Sequence, residues 1–323
     1  MAHLRRGTGD GGRGRASHRT VSHQPAPRVR LVDSVSRHLD AQIFFVARLP
    51  RVLAGAMVGS ALASSGVVFQ ALLRSPLATP FTLGVSAGAA LGAMLALTLN
   101  LSSGLAGVSA VPIASFAGSL GAVAIVYALA RAKHRRISTN VLLLAGVTLN
   151  SLFSALILFV QFMSDFSQTF RTVRWLMGDL DISGYKPLLA AIPPLALSFA
   201  AFAFLPKPMN LLSISDESAA SRGVDVHQTQ RLAFLSASLA TGAAVSLGGP
   251  VGFIGIVIPH LVRLIVGSDH RLVLPASALG GAAFLILCDT ISRTALSPLE
   301  LPVGVITAII GGPFFLWLLI KNR

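Results

Sequence analysis

Residues 139–163 read Thr-Asn-Val-Leu-Leu-Leu-Ala-Gly-Val-Thr-Leu-Asn-Ser-Leu-Phe-Ser-Ala-Leu-Ile-Leu-Phe-Val-Gln-Phe-Met, without one ionisable side chain. An α-helix needs about 20 mostly apolar residues to cross the hydrocarbon of a bilayer, and this stretch is long enough. It lacks the period-two alternation of a barrel strand. Outward from it the same texture recurs. With soft ends, apolar runs lie at 48–72, 82–100, 108–131, 187–206, 231–249, 251–266, 272–292 and 302–320, which makes nine with the first. The run at 251–266 is short and ends around His260–Arg263. The expected fold class is an all-α integral membrane protein, a polytopic bundle of about nine transmembrane helices.

Composition agrees. Hydrophobic residues make up 53% of the 323 residues and charged ones only 12%, against about 25% charged in soluble domains. Mean hydropathy is +0.73. Small residues four apart, at Gly55 and Gly59 and at Gly84, Gly88 and Gly92, signal helices that approach closely. Pro112, Pro193, Pro194, Pro259 and Pro313 fall in or beside runs, which membrane helices tolerate where neighbours satisfy the freed carbonyls. The lone cysteine, Cys288, sits in an apolar run and reads as a small buried residue.

The net charge of +14 is distributed rather than patched. Eight arginines lie in residues 1–40, an Arg-, Gly-, Ser- and His-rich block with no apolar run, expected to be a disordered tail. It has no h-region of a secretory signal. Of the other cations, twelve fall on one side if the runs alternate across the membrane, including Arg74, Lys207, Arg222, Arg263 and Arg271. Six fall on the other: Arg48, Arg51, Arg171, Arg174, Lys186 and Arg293. The positive-inside rule makes the richer side cytoplasmic and places the C-terminus inside. Nine spans then put the arginine-rich tail outside, against the same rule, so either one span is missing from this sequence or the first segment inserts unusually. This placement favours a membrane protein over a nucleic-acid binder.

Ordered motifs extend the reading. Arg48-Leu49-Pro50-Arg51-Val52-Leu53 is followed by Gly66, Gln70, Ser75-Pro76-Leu77-Ala78 and Gly84-Val85-Ser86-Ala87-Gly88. The middle holds Leu142-Leu143-Leu144-Ala145-Gly146-Val147. The far end holds Gly249-Pro250-Val251-Gly252-Phe253-Ile254-Gly255, Pro259-His260-Leu261-Val262-Arg263, Asp269-His270-Arg271, Asp289 with Arg293, Glu300-Leu301-Pro302-Val303-Gly304 and Gly312-Pro313-Phe314-Phe315. Over residues 40–323 this set resembles the FecCD family, the permeases of ATP-driven importers for iron-siderophores, haem and cobalamin. Members carry ten spans, with an apolar helix before the Arg-Leu-Pro-Arg segment. Residues 1–32 hold none, the same span that the charge pattern finds missing. A misassigned start, a frameshift or a truncated, inactive copy would each produce this.

The resemblance implies a permease domain over 41–323 in the bacterial inner membrane. It implies a homodimer, two cytoplasmic ATPase subunits, an extracytoplasmic binding protein and no cofactor. Met209–Val226 resembles the family's cytoplasmic coupling segment, with Ser215, Asp216, Glu217, Ser218, Ala219, Arg222 and Gly223 forming a short helix that seats in the ATPase. Acidic residues at its start and a glycine at its end suit such a helix; a solvated loop is the alternative. Arg48, Arg51 and Arg293 match positions that meet carboxylates on the binding protein, with headgroup anchoring as the competing reading. The translocation path is expected along the two-fold axis, lined by 139–163 and by the outer gate Ser164–Leu180. Thr148, Asn150, Ser151 and Ser154 form a polar stripe there, with ordinary interhelical contacts equally available to each.

Ionisable groups inside spans call for partners. Asp289 and Arg293, four apart, share a helix face and are expected to pair. Gln70 and Asn150 read as helix bridges. His260, after Pro259 and three residues before Arg263, has no second ligand at metal spacing, so a structural hydrogen bond is preferred to a metal site. No Gly-x-x-x-x-Gly-Lys-Ser/Thr occurs, so ATP hydrolysis falls to a partner. No Gly-x-Ser-x-Gly or His-Glu-x-x-His supports an intramembrane hydrolase.

Overall fold

The structure is a computed structural model that describes residues 44–101, 109–132, 139–182, 184–296 and 299–321. The tail expected over 1–40, and the side chains of the basic cluster between Arg131 and Arg136, lie outside the described residues. The described chain belongs to one unit, Ile43–Arg323.

Every apolar run becomes helix. A π-helical turn, Phe44–Arg48, leads into α1, Leu49–Leu73. A 3₁₀ turn over Pro80–Leu83 precedes α2, Val85–Thr98. Then come α3, Ala110–Ala132, and α4, Thr139–Phe162. The short α5, Phe166–Leu176, precedes α6, Lys186–Phe204. Two short helices follow, α7, Pro206–Leu212, and α8, Asp216–Ser221. The chain ends in α9, Val226–Gly248, α10, Ile254–Val266, α11, His270–Thr294, and α12, Val303–Lys321.

Among the described residues six helices are long and apolar enough to cross a membrane: α1 (counted from Phe44), α3, α4, α6, α9 and α11. The apolar stretches Val85–Thr98, Ile254–Val266 and Val303–Trp317 are shorter. The span count of nine is therefore six full-length helices and three short ones. The second run is shortened for a local reason. Thr79 caps the 3₁₀ turn, and Gly84, at φ +75°, breaks it from α2.

Burial orders the bundle. In α1 and α9, 72% of the membrane-length window is buried, so these two form its centre. Helix α1 packs against α9, α10 and α11, while α2 packs on α3 and α4. Phe69 of α1 meets Phe234 of α9 edge to face at 6.3 Å, and Tyr127 of α3 stacks on the same ring. Backbone contact requires glycine at the crossings. A Cβ on Gly59 would lie 2.2 Å from the carbonyl oxygen of Gly281, and one on Gly88 2.6 Å from that of Gly118. Only 22% of the α4 window is buried, so most of this helix has no partner among the described residues.

Candidate functional site

The segment between α6 and α9 bends because Pro206 opens a new helix directly after Leu205. Met209 and Leu212 of α7 and Ala219 of α8 turn inward and are buried. Ser215 caps α8, its Oγ accepting from the Ser218 N–H at 2.9 Å, with Asp216 and Glu217 in the first turn. The helix closes in a Schellman arrangement. Gly223, at φ +81°, donates to Ala220 O, and Val224 donates to Ala219 O. Asp225 then caps α9. Glu217, Arg222 and Gly223 remain exposed. A groove of about 380 Å³ runs between α8 and the start of α9, past Glu217, Ala220 and His227.

Two joints tie this segment to the bundle. Arg74, just past the end of α1 and at φ +49°, donates from Nη2 to Leu212 O at 2.9 Å and ion-pairs with Asp216. Asn210 of α7 donates to Asp269 Oδ1 at 2.6 Å, and its carbonyl oxygen accepts from the His270 N–H at 3.0 Å. Asp269 also takes the Arg271 N–H. That backbone bond first, and the Asn210 amide second, hold its carboxyl below the usual carboxylate range. The short helices are thus fixed to the ends of α1 and α11.

At the opposite ends of α1 and α11 lies an ion cluster. Arg51 Nε lies 3.0 and 3.2 Å from the two Asp289 oxygens, and Nη1 lies 2.9 Å from Glu300. Arg293 Nε completes it, 3.1 Å from Asp289 Oδ2, the i,i+4 pair expected from spacing. Asp289 is buried. Arg51 is therefore held inside the permease by two carboxylates, whereas Arg48, at the end of the π-helical turn, is exposed and Arg293 is partly so. Across a groove from Glu300, Arg174 of α5 pairs with Asp179 at 3.0 Å.

Gln70 bridges helices as expected, donating to Gly255 O and accepting from Arg263 Nη1 at 2.5 Å. His260, on the same helix as Arg263, has a buried Nε2 with no hydrogen-bond partner among the described residues. The hydrogen bond expected of it is not seen there. Thr148, Asn150, Ser151 and Ser154 are all exposed on α4. Thr148 and Ser151 bond back to Leu144 O and Val147 O of their own helix. Asn150 makes no bridge to another helix among the described residues. Sequence reasoning missed Arg74, Asn210 and Glu300 as partners. Each acts across more than fifty residues of chain, and no local pattern marks such pairing.

The described chain is a bundle of apolar helices with short helices braced at one end and an ion cluster at the other, and the proteins it resembles are membrane permeases of ATP-binding-cassette importers. The FecCD transport family matches residues 21–321. The hemin transport system permease protein HmuU of Yersinia pestis is 40% identical over 277 residues, covering 85% of this chain and 82% of the relative. The cobalamin import system permease protein BtuC of Halobacterium salinarum is 46% identical, covering 84% and 72%. A solved structure, an inward-facing metal-chelate type ABC transporter, superposes with a TM-score of 0.77 at 32% identity, covering 95% of this chain and 93% of that one. The chain belongs to the FecCD family: it is a multi-pass inner-membrane permease of the class that imports metal chelates, haem or cobalamin.

Proposed function

We propose that two copies of this chain, with residues 41–323 as the permease domain, form a pathway that brings an iron chelate of the siderophore type into the cytoplasm. The observation that carries this is the outward face of α4. Its neutral hydroxyl and amide groups, at Thr148, Asn150, Ser151 and Ser154, are exposed and find no partner helix among the described residues. Burying that face against a second copy would place the polar stripe along a shared axis. Neutral groups of this kind hydrogen-bond the rim of a bulky chelate without trapping a bare cation. A second reading, haem or cobalamin as cargo, is supported by the likeness to the hemin and cobalamin permeases.

Two ATPase subunits supply the power from the cytoplasmic side. Ser215, Asp216, Glu217, Ser218, Ala219, Arg222 and Gly223 form the helix that seats in each ATPase. Closure of the ATPases pushes α8, and the Arg74 and Asn210 joints pass the movement to α1 and α11, an alternating-access scheme. On the outer face Arg48 and the exposed edge of Arg293 steer the carboxylates of a binding protein. Arg51 contributes the fixed end of that surface through Asp289 and Glu300. Pro259, His260 and Arg263 serve the packing of α10 on α1.

The test is reconstitution of the permease with its ATPase and binding protein in vesicles, supplied with a ferric siderophore, haem or cobalamin. ATP-dependent uptake of the ferric siderophore, abolished by Asn150→Leu with Ser154→Leu, supports the reading. Uptake of only haem or only cobalamin moves it to the second one.

A further inference from the structure

Between the end of α6 and the start of α11 lies a groove of about 780 Å³ that the transport reading does not use. Its floor is apolar, with Phe199, Phe204, Pro275 and Leu279 among its lining residues. Phe204 and Leu279 are 74% and 75% exposed, so no described residue covers it. Lys207 and Arg271 line the same groove, and no carboxylate does. Both are exposed, and neither side chain forms an ion pair with any described residue. The nearby Asp269 is committed to Asn210 and to the Arg271 backbone.

Position decides what fits. Lys186–Phe204 and His270–Thr294 are both candidate spans, and the groove lies where the first ends and the second begins. Its apolar floor therefore faces acyl chains, while Lys207 and Arg271 stand at headgroup level. Basic pockets between helices on the cytoplasmic side are the setting in which anionic headgroups are held. We propose that this groove is a binding site for an anionic phospholipid, its phosphate between Lys207 and Arg271 and an acyl chain along Phe204 and Leu279. Lys207 belongs to α7 and Arg271 to α11, so the bound lipid would brace the same joint that Asn210 makes. Free phosphate would leave the apolar floor uncovered, and a zwitterionic lipid would bring its own quaternary ammonium up against Lys207 and Arg271, a like-charge contact that an anionic headgroup avoids.

The inference rests on the permease reading only for the membrane around the chain. The experiment is native mass spectrometry of the full chain released from bilayers of equal phosphatidylglycerol and phosphatidylcholine. The wild type is expected to retain phosphatidylglycerol preferentially. Lys207→Gln and Arg271→Gln should each reduce that retention roughly fivefold, and Lys207→Arg should restore it. Lys186→Gln, at the other end of α6, should leave it unchanged. Leu279→Trp, which fills the groove with both charges intact, should also displace the lipid and covers the case of a charge variant that misfolds. Equal retention of both lipids, retention unaffected by these variants, or displacement by millimolar inorganic phosphate would overturn the proposal. Lipid retention is read without ATPase or cargo, so failure of transport would not be mistaken for failure of this site.

Discussion

Arg51 and Asp289 stand 238 residues apart in sequence, yet the guanidinium of one lies against both carboxylate oxygens of the other at 3.0 and 3.2 Å. The pair locks together the ends of α1 and α11 that lie opposite the Arg74 and Asn210 joints. Asp289 also holds Arg293, so a single buried carboxylate balances two cations. Removing one member of a buried pair leaves the remaining charge uncompensated, which costs about 3–5 kcal/mol. Asp289→Asn is therefore expected to cause severe loss of thermal stability in detergent. Glu300→Gln, at a side chain 46% exposed, should cost about 1 kcal/mol or less. A thermal-shift series of the two variants checks the order, and equal losses would contradict it.

The crossing of α1 and α11 at Gly59 and Gly281 admits no side chain, because a Cβ on Gly281 would lie 2.3 Å from the Gly59 carbonyl oxygen. Overpacking of this kind typically costs about 1–3 kcal/mol. Gly281→Ala should lower the melting temperature clearly. Gly55→Ala is the contrast, since its added Cβ meets Ile286 only at 3.5 Å, an ordinary contact. It should be close to neutral in the same assay.

The Arg74–Asp216 joint makes a different demand. Both side chains are substantially exposed, 49% and 37%, so the pair adds within about 1 kcal/mol to stability. In the proposed coupling scheme its value is mechanical. Arg74→Asp should leave folding nearly intact but uncouple ATP hydrolysis from transport, and adding Asp216→Arg should restore part of the coupling. ATPase activity and uptake measured together in one vesicle preparation separate these outcomes.

The Asn210–Asp269 joint has a pH signature. The folded carboxyl sits below its ordinary value of about 4. A depressed carboxylate contributes its stabilisation above the unfolded value and loses it only as pH falls through the folded one. Asp269 should therefore add nothing to the pH dependence of limited proteolysis within 206–224 between about pH 8 and pH 5, and loss of its charge should raise cleavage only at stronger acidity. The His270 ring, 2.6 Å from Asn210 Oδ1, is kept out of the comparison by running His270→Gln in parallel. Asn210→Ala should raise cleavage across the whole range.

How much of this was legible in the sequence depends on the range of each interaction. The long helices were, because an apolar run reports its own solvent. Helix α9 begins at Val226, five residues before the apolar run expected from 231, because Asp225 caps a polar turn that hydropathy does not register. Helix α5 was read only as a gate segment. Arg171 and Arg174 lower its mean hydropathy below that of a span, although its amphipathic pattern and Asp165, which accepts from Gln168 N–H at 2.8 Å, were visible signals. The Asp289–Arg293 pair was readable at i,i+4 spacing. The capture of Arg51 by Asp289 was not, since it depends on how α1 crosses α11. Helix α8 was expected from family resemblance, with Asp216 and Glu217 at its start and Gly223 at its end as the local chemistry that suited it; the Ser215 cap was not read.

The most direct test of the account is co-purification of the full chain with the ATPase subunit of such an importer in detergent. The account predicts a stable complex that elutes as one species and is lost when Glu217 and Arg222 are both changed to alanine, with the permease itself still monodisperse. A complex that survives those changes, or a well-folded permease that never binds the ATPase, would contradict the assignment of α8 as the coupling helix.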